Sequence, residues 1–148
     1  MELRRRVSAS RGWVWAARLC LGIVFLINMN AAVAYILHPT RYISGYELEG
    51  VAGRVVIQAI GALFIMWNAT YPLVIVNPAR YQALFAIVLA QQLIGLTAES
   101  WLVISLPSGH DALRLTGIRF ITFDGVGLIL MLAVFLLGRL VLQRDSST

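Results

Sequence analysis

Two arginines and two carboxylates fall inside apolar stretches of this chain: Arg54 in "VAGRVVIQ", Glu99 in "GLTAES", and Arg119 and Asp124 in "RFITFDGVG". An ionised side chain near the middle of a bilayer costs between ~3 and over 10 kcal/mol, so four such groups require compensation. Helical spacing indicates how they could meet. Arg54, Gln58, Gly61, Ile65 and Asn68 recur at intervals of 4, 3, 4 and 3, a heptad seam that puts three polar side chains on one stripe. Gln92, Gly95, Leu96 and Glu99 share a face by the same arithmetic. Gln91 points about 100° away from Gln92, so the two amides address different neighbours. Asp124 begins a face continued by Gly127, Leu128 and Met131, and Gly125 and Gly127 leave space for a close helix or a small ligand. Asn28 and Asn30 lie on opposite faces of their segment, so one of them looks into a bundle.

Lipid cannot satisfy these groups, and two readings of them stay open. A closed network would match Arg54 and Arg119 to Glu99 and Asp124, with Gln58 and Asn28 filling the remaining hydrogen bonds and the whole pinning helix register. An open site would use Glu99 and Asp124 to take a cation or proton, or Arg54 and Arg119 to take an anion. Asn68, Gln91 and Gln92 read as interhelical hydrogen-bond glue. They are the only strongly polar groups in their half of the membrane, which argues against a simple channel. Enzymatic signatures are missing: Ser100 follows Glu99 with no histidine at helical spacing, and no phosphate-cradling loop or HExxH is present. His38 and His110 fall in loops, away from any axial haem position, and match no metal-ligand spacing. Neither metal nor cofactor is expected.

Four apolar segments must position these residues, roughly 14–37, 51–76, 81–106 and 119–142. Each exceeds the ~20 residues that cross a ~30 Å hydrocarbon core as a helix. No ten-residue alternation of a membrane β-strand appears, so the expected fold is all-α, a four-helix polytopic bundle in one domain spanning 1–148. Composition agrees: 59% hydrophobic and only 13% charged, against about a quarter charged in soluble domains. All 12 basic residues are arginine, scattered between apolar runs rather than forming a nucleic-acid stripe. Cys20 is the single cysteine, so no disulfide or CxxC pair can form within the chain. "NPAR" (77–80) reads as a tight turn, Pro72 as a kink in the second helix, and "RDSST" as a frayed end. The sequon "NAT" at 68–70 falls inside the second helix, where it cannot be glycosylated.

Arg4, Arg5, Arg6, Arg11, Arg80, Arg139 and Arg144 flank one side of the spans, against Arg41, Arg54, Arg114 and Arg119 on the other. The positive-inside rule then puts both termini in the cytoplasm and the charged cluster in the outer half of the plasma membrane. "ELRRRV" followed by an apolar run and "AAVA" resembles a signal peptide, but the run is too long for one, and an uncleaved first helix is the expectation.

The four-helix layout, "RLCLGIVFL" in the first segment and the polar loop after it resemble the DoxX-like superfamily of small bacterial membrane proteins. "GALFIMWNATYP", "QQLIGLTAES" and "RFITFDGVGL" are similar to a family of uncharacterised bacterial membrane proteins. The DoxX-like resemblance implies quinone-linked oxidation or an accessory role beside other membrane enzymes, while the paired cysteines of redox-active relatives are absent here. Three functional expectations follow. The first is a non-enzymatic accessory or scaffold subunit, with lipid and other membrane subunits as partners and no nucleic acid. The second is a small-molecule or ion binder or transporter, and the third an enzyme acting on quinone or at the outer face.

Overall fold

The computed structural model describes the backbone of residues 2–146 and the side chains of residues 11–143. Arg4, Arg5, Arg6 and Arg144, and with them the "RDSST" stretch, lie outside the described side chains. The fold is all-α: α1 (Glu2–Leu37), α2 (Gly50–Asn68), α3 (Tyr71–Val76), α4 (Gln82–Ser105) and α5 (Asp111–Ser146). Two short 3-10 turns, Pro39–Arg41 and Ile43–Tyr46, fill the loop after α1. Four segments are apolar and long enough to cross a bilayer: Arg11–Leu37, Gly50–Val76, Gln82–Ser105 and Asp111–Gln143. Their outward faces carry large apolar side chains such as Leu26, Met66, Ile94, Trp101 and Ile129, each more than 60% exposed, as expected where lipid is the solvent. The chain is a multi-pass membrane protein.

Two boundaries differ from the sequence expectation, each for a local reason. The second span is interrupted at residues 69–70. Pro72 has no N–H to donate to Asn68, the residue four before it, so α2 ends there and a new helix starts with Pro72 in its first turn. The last helix starts at Asp111 rather than 119. Asp111 lies in its first turn, where the helix dipole favours an anion. The Arg114 guanidinium donates to Val103 O at 3.3 Å and Leu106 O at 3.0 Å, tying these extra two turns to the end of α4. Residues 111–118, ahead of the expected fourth segment, are thus the first two turns of the helix. At the opposite end "NPAR" forms its tight turn, with Arg80 N–H donating to Asn77 Oδ1 at 3.1 Å and Pro78 buried.

The packed pairs are α1 with α2, α3 and α5, and α4 with α5; α2 makes no comparable contact with α4 or α5. Toward the terminal end the bundle is closed by an apolar core that includes Ala17, Leu21, Tyr71, Val74, Phe85 and Met131. Toward the loop end α2 and α4 stand apart. The α1–α2 crossing is tight at Gly61, where an added Cβ would sit 2.8 Å from Ala32 O and 2.9 Å from Ile36 Cγ1. Small residues let helix backbones approach in lipid, and here the obstacle is a backbone atom that cannot rotate away. Gly61→Ala is therefore expected to lower stability by about 1–3 kcal/mol. Gly22→Ala, with nothing within 4 Å, should be neutral or stabilising by up to ~1 kcal/mol. Thermal unfolding in detergent checks the pair, and equal melting temperatures would contradict the tight crossing.

Candidate functional site

Gln92 is 1% exposed and sits where α1, α3, α4 and α5 converge. Its Oε1 accepts from the Tyr71 hydroxyl at 3.2 Å, and its Nε2 donates to Asp124 Oδ1 at 2.8 Å. Gly127 makes room for this amide, since a Cβ there would lie 3.3 Å from Nε2. Asp124 Oδ2 points toward Gly95 of α4, 3.0 Å from where a Cβ would be, and Trp67 of α2 reaches the same notch. One helix turn further along α4, Glu99 has a buried Oε2 with no hydrogen-bond partner among the described residues. Asn28 of α1 donates to Asn68 Oδ1 at 3.3 Å, and Asn68 Nδ2 caps Phe64 O at 2.8 Å.

These groups line a cavity of about 250 Å³ in the gap between α2 and the α4–α5 pair. Its polar wall is Asn28, Asn68, Gln92, Glu99 and Asp124, and its aromatic wall is Phe64, Trp67 and Phe120. Ile94 and Ala98, both exposed on the lipid face, complete it, so the cavity reaches the side of the bundle. A second cavity of about 370 Å³ adjoins it toward the loop end and shares Phe64, Glu99 and Phe120. Phe64 and Phe120 meet edge to face with centroids 5.8 Å apart, and Phe64 stacks on Tyr35 at 5.9 Å.

Arg54 and Arg119 line neither cavity; both are exposed, and no ion pair joins them to Glu99 or Asp124 among the described residues. The closed Arg–carboxylate network expected from spacing does not form. Both arginines are near the loop ends of their helices, where a long side chain reaches the interface without an internal counter-ion. The buried stripe of α2 runs through Gly53, Ile57, Gly61 and Asn68, so the expected seam is displaced by one residue at its loop end. Gln58, exposed beside that stripe, donates to Ile36 O at 3.1 Å. Gln91 faces a different neighbour from Gln92 and accepts from the Thr70 hydroxyl at 3.1 Å.

Residue spacing did not single out Phe64, Trp67, Phe120, Tyr71 or Tyr46. The signal available for the first two was their place beside Gly61 and Asn68 on the inner stripe. Arg18 was also missed; it donates to Ile75 O and Val76 O at the end of α3, at 3.1 and 2.5 Å.

The loop after α1 covers the second cavity through Tyr46, whose hydroxyl lies 3.1 Å from that of Tyr35. Burial, reinforced by the Tyr35 hydrogen bond, pushes the Tyr46 phenol upward, so it stays neutral. Glu47, in a left-handed conformation (φ 54°), clasps the start of α5. Its carboxylate lies 2.5 Å from His110 Nδ1 and accepts from Leu113 N–H at 3.3 Å. The Thr116 hydroxyl adds a bond to Gly45 O at 2.7 Å. The His110 hydrogen bond holds the Glu47 carboxyl below its ordinary value. Comparison with protein-family models, curated proteins and solved structures returns no match.

Gln92→Leu removes partners from two buried groups at once and is expected to cost about 2 kcal/mol or more. Gln91→Leu, at a half-buried position with one bond, should cost less than about 1 kcal/mol; thermal melts of the two variants decide. The Glu47 clasp has a lowered folded value, so its contribution is present above the ordinary glutamate range. It is lost as pH falls through that lowered value. Hydrogen exchange in residues 38–49 should rise over that acid range in the native protein. The low-pH rise should be missing in Glu47→Gln, which starts unclasped.

Proposed function

We propose that the protein binds a small cationic ligand within the membrane, through the carboxyl groups of Glu99 and Asp124. One observation carries this reading: the cavity between α2 and α4–α5 is lined by two carboxyls and no basic side chain, and Glu99 Oε2 has no hydrogen-bond partner among the described residues. Two carboxyls this far from bulk water call for positive charge, supplied by a proton or by a bound cation. The arginines that could have neutralised them face outward, which also disfavours an anion site. Phe64, Trp67 and Phe120 line the cavity beside the acids, an aromatic surround that suits an organic ammonium better than a bare metal ion. Among the described residues no group of three or more metal-ligating side chains forms.

The arginine asymmetry supports a plasma-membrane setting with both termini cytoplasmic, which puts the Glu99 end of this cavity in the outer half of the bilayer. The DoxX-like resemblance fits a bacterial inner membrane. Its implied quinone chemistry finds no redox pair here, Cys20 being alone. The apolar core at the terminal end closes the cavity on that side, which supports binding over conduction.

Ethylamine, the smallest convenient organic ammonium, is the test probe. The native protein in nanodiscs should bind it, and Glu99→Gln or Asp124→Asn should weaken binding about tenfold or more, the loss of one desolvated charge interaction. Arg54→Gln should bind as the native protein does. If the acid variants fold normally and binding is absent or unaltered, the accessory-subunit reading replaces this one, and stable copurification with other membrane subunits is then the expected result.

A further inference from the structure

The two adjoining cavities differ sharply in chemistry, and their order along the bundle is fixed. The deeper one, beside the apolar core, holds the five polar side chains. The one nearer the loops is walled mainly by Ile60, Leu102, Val103, Leu106 and Leu113, with Tyr46 over it. They join at Glu99, Phe64 and Phe120, which belong to both. Beyond the polar wall toward the terminal end, Tyr71, Val24 and Met131 are buried and fill the bundle, so nothing extends that way. Within the bundle, an occupant whose charge meets Glu99 and Asp124 can therefore place further mass only toward the loop end, where apolar side chains outnumber the polar Ser105 and Thr116.

From this we infer that the ligand is an elongated amphiphilic amine, bound with its ammonium at Glu99 and Asp124 and its hydrocarbon tail running past Phe64 and Phe120 to lie beneath Tyr46. The inference rests on the cation-binding reading above and adds the shape and polarity of the ligand. From Glu99 to Leu106 the helix rises roughly 10 Å, a length that an octyl chain spans. The polarity is the reverse of a leaflet phospholipid, which keeps its head at the water and its tails at the midplane. A resident lipid in its usual orientation would put acyl chains on the carboxyls and its headgroup against Leu102 and Val103. A single-tailed amine entering through the lipid-facing side of the cavity, past Ile94 and Ala98, matches both ends.

The test compares ethylamine with octylamine on the full-length protein in nanodiscs, with Glu99→Gln protein in identical nanodiscs subtracting partition into lipid. Octylamine should bind more tightly by roughly tenfold or more, because its tail is removed from water. Ile60→Trp and Leu106→Trp each put bulk among the apolar side chains of the tail cavity. Each should abolish that gain while leaving ethylamine affinity unchanged, and thermal melts identify a variant that fails to fold, for which the other stands in. If ethylamine binds in a Glu99-dependent way but chain length gives no gain, or the gain survives in the folded tryptophan variants, the amphiphile inference is wrong and the cation site stands. If neither amine shows Glu99-dependent binding, both fall.

Discussion

A primary amide buried in hydrocarbon has to place its donors and its acceptor on protein groups, and Gln92 places them on Asp124 and Tyr71. That single side chain links three helices. It holds Tyr71 at the start of α3, just after the break that Pro72 imposes, and it fixes the Asp124 carboxyl on α5. With one oxygen of Asp124 engaged, the other is aimed at the Gly95 notch and the cavity. The polar layer then divides the bundle into a terminal half packed with apolar side chains and a loop half in which α2 and α4 separate.

The separation has a cost that must be met elsewhere. α2 leans on α1 through the Gly61 crossing and reaches toward the far side with aromatic side chains, Phe64 toward Phe120 and Trp67 toward Gly95. At the loop end the spans are joined instead by polar bonds: Glu47 to His110 and Leu113, Thr116 to Gly45, Arg114 to the last carbonyls of α4. These bonds hold the ends of the helices while the middle stays open. A cavity with acids in it persists because the elements around it are fixed above and below.

Much of this was legible in the sequence, and the failures are instructive. Apolar length and the lack of β alternation were enough for four helical spans, because lipid leaves the backbone few alternatives. Gly61, Asn68, Gln92, Glu99 and Asp124 could be placed on shared faces by counting, since amides and acids within the apolar length have nowhere else to go. Arg54 and Arg119 could not, because an arginine near a helix end reaches water from almost any face, so its position in the repeat carries little information. The early start of α5 was hidden for a related reason. Residues 111–118 include Asp111, Arg114 and Thr116, which look like loop residues, yet the partners of Arg114 and Thr116 are at the end of α4 and in another loop, outside any local pattern. The aromatic wall was hidden because Phe64, Trp67 and Phe120 are ordinary membrane residues until a gap opens beside them.

The cavity beside Glu99 opens to the lipid, and no arginine seals that carboxyl among the described residues. A hydrophobic carbodiimide partitions into membranes and couples to carboxyl groups it can reach there, so peptide mapping after treatment of the native protein tests the claim directly. Modification at Glu99, diminished when ethylamine is present, is the predicted result. Labelling of Glu99 only after the protein is unfolded would contradict the account and restore the closed network.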